Sequence, residues 1–270
     1  SGTPDVETIA GLLPPLPELQ QVKGMVDLFH GHVKAARRDL AAITSGGSAI
    51  SATPGGDSAY YVPWIDTLDY FDVTPAQLAA SRAKAMRLDV TADPSRGPAR
   101  QYLIGRLALR ARDLKGAEAA MAVLQAMPEL PKSSIAADLA LTLKARILLA
   151  KGDAAAALAA LDQQKIRIPD RLSDLYNHAD QNFFRASLLV LLGRPREAIP
   201  LYEMGDYFLS DPAFCAPGNL YLGLIYDSLG DKDRAIFHYA RFVSMWSNAD
   251  PELRPEVERA QARLAQLRGH

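Results

Sequence analysis

Apolar residues along this chain return every three or four positions, and alternation of apolar and polar residues never lasts long enough to propose a strand. The pattern predicts helices with one buried face. It is clearest near the end, where Leu253, Val257, Ala260 and Leu264 recur at helical spacing and charged residues fill the gaps. Asp250-Pro251-Glu252 opens that helix, which is expected to run from Glu252 to Leu267. Thr74-Pro75 caps and starts another helix through Leu88, since proline suits a first helical turn. Pro131-Lys132-Ser133-Ser134 opens a long helix that stops before Gly152.

Small residues recur at fixed places within these helices. The stretch Gly218 to Phe242 contains Leu222-Gly223-x-x-Tyr226, then Gly230-Asp231, then Ala235 and Tyr239. Gly223 and Ala235 fit the close crossing of two antiparallel helices, and Tyr226 and Tyr239 fill the wedge beside it. Gly230 suits the left-handed residue that ends the first helix. Weaker copies lie upstream: Ala186 with Leu192-Gly193 and Ala198; Ala145 with Gly152-Asp153 and Ala157; Gly105 with Ala117 and Met121, lacking the turn glycine. A faint copy is Gly24, Gly31 and Ala36. The alanines Ala117, Ala157, Ala198 and Ala235 are spaced by 40, 41 and 37 positions.

The L-G-x-x-Y…A-x-x-x-F pattern resembles the tetratricopeptide repeat, whose usual period of roughly 34 residues is exceeded here. The resemblance implies an all-α solenoid of antiparallel helix pairs ending in a capping helix. Residues 1–95 are then an irregular helical region with a flexible loop near 44–57. Residues 96–270 hold about four repeats, with the capping helix at 251–267. From Asp170 onward, runs such as Asp231 to Trp246 and Asn248 to Leu253 look like the carboxyl-terminal repeat region of bacterial serine/threonine kinases and related signalling regulators. In those kinases a membrane helix often precedes the repeats, which would place this part in the periplasm. The residues themselves leave cytoplasm and periplasm open. Ser1-Gly2 reads as a cleavage scar on a piece of something longer.

Composition narrows the function. Hydrophobic residues make up 49% and charged residues 23%, the balance of a folded chain. Lys+Arg 30 against Asp+Glu 31 gives a net charge of −1, so no overall electropositive character argues for nucleic acid. The longest apolar run, Leu188 to Leu192, is too short to insert in a membrane. Cys215 is the one cysteine, which excludes an internal disulfide and a multi-thiolate zinc site. The polyproline stretch Leu13 to Pro17 reads as a linker rather than a ligand for an SH3-like partner.

No motif for catalysis emerges. There is no nucleotide loop and no kinase signature, and Gly46-Gly47-Ser48 is not a nucleophile elbow. His30 and His32, two apart, point to different sides of a helix and make a poor metal pair; His178 lies near Asp180, and His238 reads as a packing residue. Neither metal nor cofactor is expected. If the first helix of each pair lines a concave groove, that face carries Tyr102, Arg106 and Arg110, then Thr142 and Arg146, then Phe183, Phe184 and Ser187, then Tyr221. Arginines beside aromatic rings suit an acidic or carboxylate-ended peptide. The plainer reading is aromatics packed between repeats and arginines paired with nearby acids. The leading expectation is a non-enzymatic interaction or sensory scaffold with a protein or peptide partner. Self-association into a homodimer, with the aromatic segment Tyr60 to Trp64 as one contact, is the alternative, and an enzyme on a helical scaffold is the remaining one.

Overall fold

The computed structural model describes residues 17–43, 58–91, 96–128, 135–165, 178–204 and 212–269. Among them are thirteen helices and no strand. In chain order these are α1 Pro17–Phe29, α2 Val33–Ala41, α3 Ser58–Ile65, α4 Pro75–Met86, α5 Gly97–Arg110, α6 Leu114–Ala126 and α7 Ile135–Ala150. There follow α8 Ala154–Leu161, α9 His178–Leu191, α10 Pro195–Glu203, α11 Pro212–Ser228, α12 Lys232–Met245 and α13 Arg254–Gly269. The loop near 44–57, Leu13 to Leu16, Pro131 to Ser134 and the His178 side chain lie outside the described residues.

The helices pair as α5/α6, α7/α8, α9/α10 and α11/α12, each pair leaning on the next, with α13 covering the last. Small residues permit the crossings. A methyl group on Gly223 would stand 2.8 Å from the Tyr239 ring, and one on Gly105 would run into Leu143. Ala117, Ala157, Ala198 and Ala235 are all fully buried where their helices touch. The result is an all-α solenoid whose buried core falls into two clusters, a smaller one within α5, α6 and α7 and a larger one through the other helices, with Ile104 packed against both.

Every pair turns in the same way. In α11/α12 the amide of Asp231 donates to the Tyr226 carbonyl and that of Gly230 to the Asp227 carbonyl. This six-to-one and five-to-two bonding satisfies carbonyls that a helix end would otherwise leave open. In three of the pairs the second helix begins on an aspartate whose carboxylate accepts an amide three residues on: Asp113 from Gly116, Asp153 from Ala156, Asp231 from Arg234.

The first hairpin, α1/α2, is built to the same plan. Gly24, Gly31 and Ala36 stand at the spacing of Gly223, Gly230 and Ala235, and Leu40 meets Gly24 as Tyr239 meets Gly223. This hairpin folds back onto the far end of the stack, α1 lying on α11. The Asp250 amide donates to the Gly31 carbonyl at 3.0 Å, and the Lys34 amide to the Asp250 carboxylate at 2.9 Å. Helices α3 and α4 then cross back to α5, so the helices close into a ring.

Helix α4 has the capping box of Thr74 and Gln77 at its start and ends at Met86, close to where the sequence placed it. Two expectations are corrected in detail. Helix α13 begins at Arg254 rather than Glu252, because Asp250 and Glu252 are engaged by Lys34 and the intervening residues turn. His30 and His32 lie in the α1–α2 turn rather than on a helix. There their rings, 6.0 Å apart, bond the Met245 and Asn248 carbonyls.

Candidate functional site: an arginine-lined cleft

The first helices of the four pairs supply one wall of a cleft of about 570 Å³, and residues 68–70 supply another side. Helix α5 contributes Arg106 and Arg110, α7 contributes Arg146, α9 contributes Asp180, Phe183, Phe184 and Ser187, and α11 contributes Phe214 and Tyr221. Seven of the nine groove residues expected from sequence therefore converge here. The other two, Tyr102 and Thr142, do not line the cleft. Thr142 is buried, its hydroxyl donating to the Asp138 carbonyl and accepting from Gln164 and Gln181. Tyr102 is buried on α5, its hydroxyl 3.4 Å from both Arg106 and Asp180.

The floor of the cleft is a buried ionic group. Asp180 accepts from Arg106 at 2.9 Å and from Arg146 at 3.0 Å, and the side chains of Asp180 and Arg106 are only 7% and 4% exposed. Burial alone would raise the Asp180 carboxyl, but the two guanidinium groups outweigh it and hold it below the usual carboxylate range. The Arg106 guanidinium is correspondingly held charged: burial opposes it, and Asp180, Tyr102 and Asp69 together more than compensate. The Arg146 guanidinium carbon also sits over the Phe184 ring, 4.1 Å from its centre.

Part of the cleft is already filled by the chain itself. Residues 66–73 follow α3 as irregular backbone and pass in front of α5. Asp66, fully buried, anchors the segment through Arg37 of α2 and Ser81 of α4. Arg106 then donates to the Thr67 carbonyl at 2.8 Å and Arg110 to the Phe71 carbonyl at 2.6 Å. Between them Asp69 faces Arg110 at 3.8 Å and Arg146 at 3.6 Å, with its own side chain 68% exposed. These long, wet pairs hold Asp69 weakly.

The opposite side is aromatic. Tyr202 and Tyr221 stack with planes 3° apart and centres 5.3 Å apart, and Phe183 meets both edge-on. Ser187 bonds the Phe183 carbonyl and the Tyr202 hydroxyl. Burial raises the Tyr221 phenol, with Glu256 and Asp69 adding to the shift. Tyr221 stays 37% exposed while lining the cleft. The site thus offers forked donors beside apolar rings. Among the described residues no group of three or more His, Cys, Asp or Glu could hold a metal ion, and no helix is long and apolar enough to cross a membrane. His238, on α12 away from the cleft, is buried against Tyr226 and bonded to Asn219.

Residues 219–245, which span most of α11 and the whole of α12, match the tetratricopeptide repeat family. The fold is of tetratricopeptide type. No curated protein and no solved structure matches the chain. The matched repeat is the one with all its signature residues, Leu222, Gly223, Tyr226, Gly230 and Ala235. Tetratricopeptide stacks generally mediate contacts between proteins, and here the first helices of the pairs form the concave wall on which the cleft opens.

Asp180, Phe214, residues 68–70 and Arg112 line the cleft without having been expected there. Arg112 lies in the α5–α6 turn, outside any helix, and lines the cleft beside Arg110. The signal was present: this is the repeat copy without a turn glycine.

Proposed function

We propose that this chain is a non-catalytic tetratricopeptide scaffold that receives an acidic, extended segment of a partner protein in the arginine-lined cleft. The observation that supports it most is the treatment of residues 67–71. Arg106 and Arg110 already hold backbone carbonyls of an irregular peptide there, while Arg110 and Arg146 face its carboxylate. Four arginines line the cleft against two aspartates, and one of those, Asp180, is consumed in the floor. A second carboxylate therefore meets unspent positive charge, and the Tyr221 ring offers a face for an apolar neighbour. The resemblance of the later repeats to those of bacterial signalling kinases favours a partner within a signalling assembly.

The test is a display library of short random peptides panned on the folded chain, with selected peptides resynthesised and titrated by fluorescence anisotropy. Selected sequences carry an acidic residue beside an apolar one, and Arg110→Ala, which leaves the buried ionic floor intact, weakens them about ten-fold. Equal affinity for Arg110→Ala and the parent chain would remove the cleft from the account.

A further inference from the structure

Five helix pairs end their first helix with the same bonding, and in four of them the left-handed residue is glycine. Gly31, Gly152, Gly193 and Gly230 have φ of 73°, 88°, 72° and 76°. In the α5–α6 turn the residue is Arg112, at φ 59°, the one non-glycine with positive φ among the described residues. Its backbone bonds match the others: the Asp113 amide donates to the Ala108 carbonyl and the Arg112 amide to the Leu109 carbonyl. The fold therefore asks for glycine here, and a side chain sits in a conformation that its Cβ disfavours. Strain of this kind, once observed, points toward function.

The location of Arg112 supplies the second observation. Besides the arginine-lined cleft, it lines an adjoining hollow of about 650 Å³ between α4 and α5, whose walls include Val73, Leu78, Met86 and Leu107. Arg110 and Arg112 are shared by the two, so they form the boundary between the charged cleft and a hollow whose remaining lining is apolar except for Arg82. The other arginines nearby are engaged: Arg106 and Arg146 by Asp180, Arg82 by Asp113, Arg110 by the Phe71 carbonyl. Arg112 is exposed and has no ion pair or side-chain hydrogen bond among the described residues.

We infer that Arg112 is a binding residue whose guanidinium takes an acidic side chain of a partner peptide running from the charged cleft into the apolar hollow between α4 and α5. This rests on the proposed function and narrows it to an acidic residue followed or preceded by an aliphatic one. Arg112 stands in the left-handed turn just past the end of α5, and together with Arg110 it lies on the border between the two clefts.

The experiment uses the anisotropy-labelled peptides selected on the parent chain and compares Arg112→Gly with Arg112→Lys. Arg112→Gly is expected to raise the thermal midpoint and to bind the selected peptides about ten-fold more weakly. Arg112→Lys, which keeps the charge, recovers part of the affinity. Replacing the peptide's acidic residue by its amide removes the difference between parent and Arg112→Gly. If Arg112→Gly binds as the parent does while Arg110→Ala binds weakly, the cleft stands and the role of Arg112 falls. If neither substitution changes binding, the cleft falls too. A lower midpoint for Arg112→Gly would show that the arginine serves folding and would overturn the inference.

Discussion

The guanidinium of Arg106 and the carboxylate of Asp180 meet at 2.9 Å across two helices that belong to different repeats, and both are almost wholly removed from water. Such a pair stands only if its remaining donors and acceptors are matched, and here Arg146 and the Thr67 carbonyl match them. Asp180→Asn leaves two buried guanidinium groups facing a neutral amide. It is expected to cost about 3–5 kcal/mol, read as a shift in urea midpoint.

The same group sets an acid response. Because the folded-state carboxyl of Asp180 lies below its ordinary value, the unfolded chain binds the extra proton. The stabilisation is complete above the unfolded value of about 4 and is lost as pH falls from there through the folded value. The stability gap between parent and Asp180→Asn therefore narrows as pH falls below about 4 and is steady well above it, which urea titrations at each pH would show.

Two glycines in α11 should respond to alanine with opposite sign. At Gly223 the new methyl meets the Tyr239 ring at 2.8 Å, and overpacking is expected to cost about 1–3 kcal/mol. At Gly218 the nearest atom, the Tyr202 carbonyl oxygen, is 3.6 Å away, an ordinary contact. Alanine there is expected to add about 0.5–1 kcal/mol by restricting the unfolded chain. Equilibrium unfolding of both variants gives the comparison.

Gly31 and Gly152 separate backbone from packing. Both are left-handed, but nothing lies within 4 Å of a methyl on Gly152, whereas one on Gly31 stands 2.8 Å from Ala249. Gly152→Ala is expected to cost about 1 kcal/mol and Gly31→Ala clearly more, since it also pushes the first hairpin off the far end of the stack. Only Gly31→Ala should increase amide exchange around Ala249.

Asp69 competes with any acidic ligand for Arg110 and Arg146. Asp69→Asn is expected to tighten peptide binding several-fold without a change in thermal midpoint, because the carboxylate is exposed and its ion pairs are long. The gain should shrink with added salt. Unchanged affinity at low salt would show that Asp69 is not the competitor.

How much of this was legible beforehand depended on the range of the interaction. Ala117, Ala157, Ala198 and Ala235 betrayed the stack because close helix crossings demand small residues at a local, repeating interval. Thr74-Pro75 betrayed the start of α4 because capping is decided within four residues. Residues 66–73 have no such pattern. Their path is set by Arg106 and Arg110, 39 positions along the chain, and by Asp66 reaching Arg37 and Ser81. The groove arginines were found from their register. That one side of their cleft is the chain's own backbone could not be, since nothing local in Leu68-Asp69-Tyr70 specifies a partner. Arg112 was visible only as a missing glycine.

The bond between Asp250 and Gly31 joins a hoop where an ordinary repeat array is a spring. An open array can melt from one end, each unit parting from its neighbour with little regard for the rest. Here the first hairpin cannot dock until the last pair exists to receive it, and the Lys34 amide reaches Asp250 across 216 positions of chain. Folding should accordingly be slow for an all-helical chain, and unfolding a single concerted event with no frayed partial stacks.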